Sequence, residues 1–594
     1  MNHNLENVDT EAIVRPAFDL SSYERARGLI SRLALASILW GAASLTASAV
    51  NAQEASNANR PNVLLIVADD LGYSDIGAFG GEIATPNLDA LIASGQQLTN
   101  FYASPACSPT RAMLMSGTDN HLAGVGNMAE LMLDEQRGKP GYEGVLNQRV
   151  VPFPQLLHDS GYNTYIAGKW HLGGKDDQIP ANRGFDRSMV LLGGGASHFD
   201  GTGSSVHGPR AAYRFGATPF ELPKSGFYSS DFYTDRVIEW IDADKNSNKP
   251  FFAYLAYTAP HWPLQAPEEF IAKYRGKYDD GYDAVRQARI DRMKKLGLLS
   301  ENETVAAVDP SRPKWRDLTP DQRRRESRFM EIYAGMVDNL DYNVGRIVTH
   351  LKDTGQLDNT IIVFMSDNGP EGNDPEQTSS DNAKWIADNF DNSIDNLGKA
   401  TSFVGYGPSW AAVSATPYRM FKGFTYEGGI RTPAFVSAPG RIPPGRNDAL
   451  MTVMDVAPTV LDYAGVAAPG ARYKGRDIEP IAGKSLVPVL AGDSETAHAP
   501  DYAMGRELMG RIGIRQGDWK LVWSNKPYGT NNWELFDLST DRAEAQDLSS
   551  ANPQKLKEMI GLWENYRKAN GVIWDDTLAD KTFYTNNDRH FAAD

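Results

Sequence analysis

From about residue 60 onward, short apolar runs alternate with segments in which apolar residues recur at helical spacing. Residues 61–68 (PNVLLIVA) and 360–366 (TIIVFMS) are apolar at almost every position, which is typical of parallel strands buried on both faces. Residues 162–168 and 250–257 form two further runs of this kind. The alternation predicts an α/β fold, in which a large mixed, mostly parallel sheet is sandwiched by helices.

The pattern changes past about Gly465. Residues 513–523 predict two strands joined by a turn, residues 533–538 predict another strand, and residues 553–569 predict an amphipathic helix. We therefore expect a smaller C-terminal α+β subdomain that contains an antiparallel sheet. The predicted organisation is an extended leader and signal peptide over 1–52, a large α/β domain over 58–465, the C-terminal subdomain over 466–575 and a C-terminal tail over 576–594.

Two segments lack clear periodicity. Residues 279–328 are strongly charged and punctuated by prolines, which predicts a surface insertion ahead of a helix over 329–351. Residues 373–415 are polar and then glycine-rich, and they predict a loop excursion that forms part of the rim of an active site.

The N-terminus has the pattern of a targeting segment. Arg25, Arg27 and Arg32 precede an apolar run over residues 33–50, and small residues follow at a suitable cleavage site before Gln53. We expect a secretory signal and an exported protein, periplasmic or secreted, with no stable membrane partner. The alternative is a single uncleaved anchor, because the run approaches the length that spans a membrane.

Composition excludes some classes of partner. Hydrophobic residues make up 41% of the chain and charged residues 23%, as in large soluble enzymes. The formal net charge is -16, which argues against nucleic acid because a phosphate backbone needs a basic face. Cys107 is the only cysteine, so no internal disulfide can form.

Polar residues follow the apolar runs. Hard oxygen donors end two of them, which predicts a Ca²⁺ or Mg²⁺ site at the carboxyl edge of the sheet: Asp69, Asp70, Asp367 and Asn368. The alternative is that these residues cap the turns that follow. The other two runs lead to Lys169, His171 and His261. At a strand's period of two, Lys169 and His171 share one face while Trp170 points away.

Cys107 begins the run Cys-Ser-Pro-Thr-Arg, which ends at Arg111. Pro109 suits the first turn of a helix, so Cys107 lies where helix N–H groups converge and favour anions. A lone cysteine is otherwise most often a small buried hydrophobe. Asp119, Asn120 and His121 follow on the same segment, and we interpret them as supporting or structural residues.

This run resembles the signature of the sulfatase family, and the resemblance extends from Asn62 to about Val572. Residues 258–264 (TAPHWPL) are most similar to the bacterial arylsulfatases. The resemblance implies that formylglycine-generating machinery oxidises Cys107 to Cα-formylglycine, and that one oxygen of the hydrated aldehyde attacks the sulfur of a sulfate ester. It implies a metal site, with Ca²⁺ favoured over Mg²⁺, formed by Asp69, Asp70, Cys107, Asp367 and Asn368.

The resemblance also assigns sulfate-binding and proton-transfer roles to Arg111, Lys169, His171, His261 and Lys422. Lys169 and Lys422 are expected to hold sulfate oxygens, and Arg111 helps to keep the aldehyde hydrate ionised. His261 is the candidate acid at the leaving oxygen, a task that the lysines could share. His171 is the candidate base on the second hydroxyl, whose deprotonation expels sulfate.

The predicted function is hydrolysis of sulfate monoesters, aryl or other small esters, to an alcohol or phenol plus sulfate. The expected partner is a small anionic ester, and a monomer is the default state. Two alternatives stay open: a phosphonate monoester or phosphodiester hydrolase on the same site, and a catalytically dead protein that binds sulfated ligands. Four aromatic residues predict either an apolar acceptor pocket or packing of their own loops, namely Trp262, Tyr406, Trp410 and Tyr418.

Overall fold

The computed structural model describes residues 60–307 and 312–581. The predicted leader and signal peptide, and all but the start of the predicted tail, lie outside these residues. Among the described residues, no helix has both the length and the apolar character needed to cross a membrane.

Strands and helices alternate along the chain as the apolar pattern predicts. The strands of the described residues are β1 (Asn62–Ala68), β2 (Gln96–Leu98), β3 (Phe101–Tyr102), β4 (Asn163–Lys169), β5 (Arg187–Leu191), β6 (Thr202–Ser205), β7 (Gly208–Arg210), β8 (Tyr213–Phe215), β9 (Thr218–Phe220), β10 (Phe251–Ala256), β11 (Thr360–Ser366), β12 (Ala434–Ser437), β13 (Gly445–Asn447), β14 (Met451–Thr452), β15 (Arg472–Tyr473), β16 (Arg476–Asp477), β17 (Ala503–Leu508), β18 (Arg511–Gln516), β19 (Trp519–Trp523) and β20 (Trp533–Asp537). The α-helices are α1 (Pro86–Ala93), α2 (Cys107–Ser116), α3 (Phe153–Asp159), α4 (Ser229–Asp244), α5 (Glu268–Ile271), α6 (Gly281–Lys295), α7 (Pro320–Asp353), α8 (Ser380–Asn389), α9 (Gly407–Ser414), α10 (Glu427–Ile430), α11 (Val456–Tyr463), α12 (Val487–Ala491) and α13 (Pro553–Asn570).

One ten-stranded sheet forms the centre of the molecule, in the order β13-β2-β12-β11-β1-β10-β4-β5-β8-β9. The five strands from β11 to β5 run parallel, and antiparallel strands flank them on both sides. The predicted large, mostly parallel sheet is confirmed. Because β11, β1, β10 and β4 are parallel neighbours, the residues that follow them meet at one edge of the sheet.

The two faces of β1 are covered by different helices. Leu64 and Ile66 lie in one core with side chains of α4 and α7, whereas Val63 and Leu65 lie in another with α2, α3 and α11. Since successive side chains of a strand point to opposite faces, only a run of consecutive apolar residues can satisfy both cores. The helical sandwich on this sheet is therefore a direct consequence of that run.

The C-terminal region forms a second sheet, which is antiparallel in the order β17-β18-β19-β20. Met559 and Trp563 of α13 pack with Ile512, Leu521 and Leu535 of the sheet. The predicted antiparallel C-terminal sheet is confirmed, and β17 is an additional strand that the pattern did not indicate. The exact boundary at residue 465 stays a prediction.

The predicted surface insertion at 279–328 is wrong in large part. Residues 281–295 form α6, and α7 already begins at Pro320, where Thr319 and Gln322 form a capping box. Arg289 of α6 is fully buried, and its guanidinium lies 2.6 Å from Asp75 Oδ1. The arginine can be buried on the core-facing side of the helix because carboxylates neutralise its charge. A charged residue at this position interrupts the apolar spacing by which the sequence would have indicated a helix.

The predicted loop over 373–415 contains two helices, α8 and α9. Trp410 of α9 is fully buried and packs against Tyr278, Tyr282 and Trp315. The segment is therefore an ordered part of the α/β unit, and Trp410 fills the core.

His121 joins the region after α2 to the C-terminal sheet. Its Nδ1 lies 2.9 Å from Asp119 Oδ1 and its Nε2 lies 3.1 Å from Glu507 Oε2. Asp119 also accepts a hydrogen bond from Tyr566 of α13 at 2.7 Å. Burial by itself lowers the pKa of His121, but the hydrogen bonds to the two carboxylates outweigh it and raise the pKa to about 9.

This raised pKa makes the stability of the fold depend on pH. A group whose pKa is higher in the folded state than in the unfolded state stabilises the fold at low pH, where it is protonated in both states. For His121 this stabilisation is complete below the unfolded pKa, near 6.5, and is lost as the pH rises through the folded pKa of about 9. Between about pH 6 and 10 we expect the free energy of unfolding to fall on the order of 3 kcal/mol more in the wild type than in His121→Gln. Chemical denaturation of both proteins at each pH measures the difference. Parallel curves would contradict the ion-pair assignment.

Candidate active site

Four ligand groups meet at the carboxyl edge of the main sheet. Asp69, Asp70, Cys107 and Asp367 are all buried, and one ligand atom of each lies within 4.8 Å of the others. Asp69 and Asp70 directly follow β1, and Asp367 follows its neighbour β11. Cys107 is the first residue of α2, as the proline two residues later predicts. The structure thus brings together residues that are far apart in sequence.

The environment of Cys107 disfavours a thiolate. Its Sγ lies 3.7 Å from Asp70 Oδ1 and the side chain is buried. Burial raises the pKa of the thiol well above its usual value, Lys169 and Lys422 oppose that shift, and Asp367 and Asp69 add to it. An unmodified Cys107 is therefore a neutral thiol, which is a weak nucleophile.

The oxygen donors at this edge suit a hard divalent cation. Asn368 donates from Nδ2 to Asp70 Oδ1 at 2.6 Å, while its Oδ1 is buried and has no hydrogen-bond partner among the described residues. Asp70 has a left-handed backbone with φ of 66°, an uncommon conformation that turns the chain sharply at the end of the strand. Three carboxylates and one unpaired amide oxygen match the ligands that Ca²⁺ and Mg²⁺ prefer.

Two cations border the carboxylates on the side of β4. Arg111 donates from Nη2 to Asp367 Oδ2 at 2.8 Å and from Nη1 to the carbonyl oxygen of Lys169 at 2.9 Å. Lys169 Nζ lies 2.8 Å from Asp69 Oδ2. All four side chains are buried. Buried charges remain in a folded protein only when they are paired, so the site is a balanced ionic cluster.

Lys422 reaches the cluster from the other side. Its Nζ lies 2.9 Å from Asp70 Oδ2 and 3.0 Å from Glu371 Oε2. Burial raises the pKa of Glu371, although the ammonium of Lys422 opposes the shift. Sequence analysis missed Glu371, and the available signal was weak: an acidic residue in the turn that follows Asn368.

His261 lies beside Asp70, with 3.5 Å between Nε2 and Asp70 Oδ2. Its Nδ1 is 2.6 Å from the carbonyl oxygen of Trp262, which can only accept, so Nδ1 carries the proton. Burial lowers the pKa of His261 to about 3, and the nearby carboxylate of Asp70 only partly offsets this effect. In this state the ring is neutral at pH 7, with Nε2 unprotonated.

His171 does not continue the alternation of β4. The strand ends at Lys169, and His171 has a left-handed backbone with φ of 57°. The prediction that Lys169 and His171 share a strand face is therefore wrong, because the chain turns between them. His171 Nε2 instead lies 2.9 Å from Glu130 Oε1, and sequence analysis missed Glu130.

Two successive glycines lie against the two histidines. A Cβ at Gly194 would lie 2.8 Å from Cε1 of His171, and a Cβ at Gly195 would lie 3.2 Å from Cε1 of His261. The first distance is shorter than carbon atoms allow and the second is tight. The two imidazole rings can therefore lie against the backbone after β5 only because glycine has no side chain at these two positions. Sequence analysis missed these glycines, although three consecutive glycines after a strand were a visible signal.

The four aromatic residues suggested for a rim have different surroundings. Trp262 is half-buried and lies 6.0 Å from the ring of Phe403. Tyr406 stacks on Tyr333 at 4.5 Å, and Tyr418 packs edge-on against Tyr73. With Trp410 in the core, only Trp262 and Tyr406 border the small cavity that also contains Asp70 and Glu371.

Comparison with known proteins agrees with this geometry. Residues 61–466 match the family model described as "Sulfatase", and residues 418–566 match "N-sulphoglucosamine sulphohydrolase, C-terminal". This chain belongs to the sulfatase family. The sulfatase is 43% identical over 538 residues to an uncharacterized sulfatase of Schizosaccharomyces pombe, an alignment that covers 88% of this chain and 97% of the relative. It is 41% identical to an arylsulfatase of Klebsiella aerogenes, over 73% of this chain and 92% of that relative.

Solved structures give the same result. The crystal structure of Ps i-CgsB in complex with k-i-k-neocarrahexaose has a TM-score of 0.61 and 25% identity to this sulfatase, and the match covers 90% of this chain and 98% of that one. Other relatives are named for sugar sulfates, including an N-acetylgalactosamine-6-sulfatase of the dog, which is 28% identical over 86% of this chain and 81% of the relative. The sulfatase is a sulfuric ester hydrolase.

Proposed function

We propose that this sulfatase hydrolyses sulfate monoesters of phenols and other small alcohols at the edge of the main sheet, with Cys107 in its Cα-formylglycine form and Ca²⁺ as the metal. The observation that supports this most strongly is the position of a buried, neutral Cys107 within a cluster of three carboxylates and three cations. A neutral thiol has little nucleophilic power, so the site suits a modified residue.

Asp69, Asp70, Asp367 and Asn368 would hold the metal together with the modified residue 107. When present, the hydrated aldehyde would supply an oxygen nucleophile, and bound Ca²⁺ would supply Lewis-acid charge to that oxygen and to the sulfate group. Ca²⁺ is the preferred ion because the donors are all oxygen and include carboxylates that can bind with one or both oxygens.

The cations have distinct tasks in this proposal. Lys169 and Lys422 bind nonbridging sulfate oxygens, which requires them to exchange part of their contacts with Asp69 and Asp70. Arg111 stays on Asp367 and keeps positive charge beside residue 107. Fixed positive charge is needed because negative charge moves toward the bridging oxygen as the S–O bond breaks.

Two histidines move protons. His261 delivers a proton to the leaving oxygen, and because its ring is neutral without substrate, it must gain that proton beside the bound anion. His171 accepts a proton from the second hydroxyl of the hydrate, which releases sulfate. Lys422 is the alternative donor, since its Nζ lies near the same carboxylate as His261.

Aryl esters are our preferred substrates. Trp262 adjoins His261, with 4.7 Å between ring centroids, and Phe403 extends this apolar surface. Flat aromatic leaving groups pack well on such a surface. The relative from Klebsiella aerogenes is named an arylsulfatase, which also supports this choice. We further propose that the protein is exported, on the basis of the basic and apolar pattern before residue 52.

A leaving-group series tests this function. The wild type should hydrolyse 4-nitrophenyl sulfate and an alkyl sulfate much faster than bis(4-nitrophenyl) phosphate. His261→Ala should lower kcat/KM for the alkyl ester at least about tenfold more than for the nitrophenyl ester, because a stable phenoxide needs little protonation.

Lys422→Ala is the matched comparison. If it shows the leaving-group dependence and His261→Ala does not, the lysine is the proton donor. Preferential hydrolysis of the phosphate diester would favour the phosphodiesterase alternative. No turnover of any ester by enzyme with fully modified Cys107 would favour a ligand-binding protein.

A further inference from the structure

We propose that Glu130 is a positioning residue that fixes the ring of His171 with the proton on Nε2 and leaves Nδ1 free to accept a proton. This inference rests on the proposed function, since it gives a reason why His171 can act as the base. Neither the sequence signature nor the metal cluster indicates Glu130.

The contact itself determines the tautomer. Glu130 Oε1 lies 2.9 Å from His171 Nε2, within hydrogen-bond distance. An ionised carboxylate has no hydrogen to donate, so Nε2 must be the donor. In a neutral ring the other nitrogen is then an acceptor. His171 Nδ1 is buried and has no hydrogen-bond partner among the described residues, so its lone pair is not used by the protein.

Glu130 is ionised in this position. Desolvation raises its pKa, but the adjacent imidazole of His171, which donates a hydrogen bond to the carboxylate, outweighs that effect, so that the net pKa is lowered. The side chain is 51% exposed, whereas that of His171 is 9% exposed. The pair therefore joins a half-exposed carboxylate to a buried ring, whereas a half-exposed carboxylate alone would be an ordinary surface charge.

The turn that contains Glu130 packs beside the start of α2, the helix that begins at Cys107. Residues 129–131 form a single turn, and Asn127 Nδ2 donates to the carbonyl oxygen of Leu131 at 2.9 Å. Met128 packs with Ala106, the residue immediately before Cys107, and with Leu508 and Met509 of the C-terminal sheet. A carboxylate on such a supported turn keeps its position, which a positioning residue requires.

The ring of His171 is confined on another side as well. A Cβ at Gly194 would collide with Cε1 of His171 at 2.8 Å and would lie 3.2 Å from Glu130 Oε1. Gly194 therefore lies over both members of the pair. Together with the left-handed backbone of His171, these contacts restrict the ring to one orientation.

The first experiment reads the tautomer directly. In protein labelled with ¹⁵N-histidine, long-range ¹H–¹⁵N spectra distinguish a protonated from an unprotonated ring nitrogen, and His171→Gln assigns the signal. The wild type should show His171 protonated at Nε2 only, and Glu130→Ala should show a mixture of the two tautomers. The result does not depend on modification of Cys107, so it stands apart from the chemistry that we propose.

The second experiment measures turnover. Glu130→Ala should lower kcat for 4-nitrophenyl sulfate by about 10- to 100-fold and lower KM in parallel, so that kcat/KM changes little, because the slowed step follows release of the phenol. Because His171 acts after the phenol has left, rapid mixing should show a burst of nitrophenol before slow turnover. Formate, but not chloride, should restore part of kcat, since the carboxylate position is open to solvent.

The matched control is Glu135→Ala. Glu135 lies in the same loop and pairs with Lys581 at the surface, so its removal should change kcat less than twofold. In a His171→Ala background, Glu130→Ala should have no further effect, because the residue acts only through that ring.

The outcomes distinguish the positioning role of Glu130 from the role of His171 as the base. An unchanged tautomer in Glu130→Ala, or a full effect of this substitution in the His171→Ala background, would overturn the positioning role. If His171→Ala keeps wild-type turnover, the proposed base is wrong, and only the tautomer assignment for Glu130 remains supported by the spectra.

Discussion

Replacing Cys107 with alanine is expected to lower kcat for 4-nitrophenyl sulfate by about 10⁴-fold or more, because no nucleophile remains at the start of α2. The fold should persist, since alanine is a good helix former and the change removes only one buried sulfur atom. Steady-state rates and melting curves of the two proteins measure both effects. Mass spectrometry of the wild type should show the peptide containing residue 107 lighter by one sulfur and two hydrogens and heavier by one oxygen.

Ser108→Ala is the matched control. Ser108 is buried on the same helix, and its hydroxyl has no hydrogen-bond partner among the described residues, so its removal should leave activity within about twofold. If a preparation is active while residue 107 is entirely an unmodified thiol, the proposal of a formylglycine nucleophile is wrong.

Replacing Asp367 is expected to remove the metal. Asp367→Asn should reduce bound Ca²⁺ from about one ion per chain to a small fraction and lower kcat/KM by about 10³-fold, because an anionic ligand and its orientation of the site are lost. Arg111 also loses its nearer ionic partner and keeps only Asp69 at 3.7 Å, and breaking a buried ion pair costs up to about 3–5 kcal/mol in typical proteins. Metal analysis, kinetics and melting must therefore be recorded together.

Asp358→Asn provides the control, because Asp358 is exposed at the opposite end of the same strand. It should retain metal and activity. Full activity of the wild type in stringently metal-free buffer would contradict a catalytic metal. If Asp367→Asn melts far below the wild type, bound Ca²⁺ measured well below its melting temperature still decides whether the ligand is lost.

The sequence was sufficient for the parts of the fold that apolar runs determine. β11 has the predicted bounds and β1 begins one residue later than predicted, because an uninterrupted apolar run between polar residues leaves a buried strand as the only favourable structure. α6 was missed for the opposite reason. Arg289 occupies its buried face, and only the tertiary partners Asp75 and Glu82 make that position favourable.

In the candidate site, too, some residues could be predicted from local sequence patterns and others depend on tertiary contacts. Cys107 and the strand-end acids carry strong local signals, and the fold brings them within ligand distance. Glu130 has no such signal, since an acidic residue in a polar loop is usually solvated. Its role depends on where the chain of β4 turns, and the left-handed conformation of His171 is not evident from residue type. Contacts that depend on a turn of this kind require the structure.

The packing of Met509 against Ala106 has a consequence for how the enzyme matures. A chain emerging from the ribosome presents the metal ligands, Cys107 and both histidines long before residues 508–509 are made. Until the last sheet docks, the turn that contains Glu130 lacks part of its apolar support. We therefore expect the enzyme to reach full turnover only after the C-terminal sheet has docked, so that the last part of the chain to be made completes the support of the site.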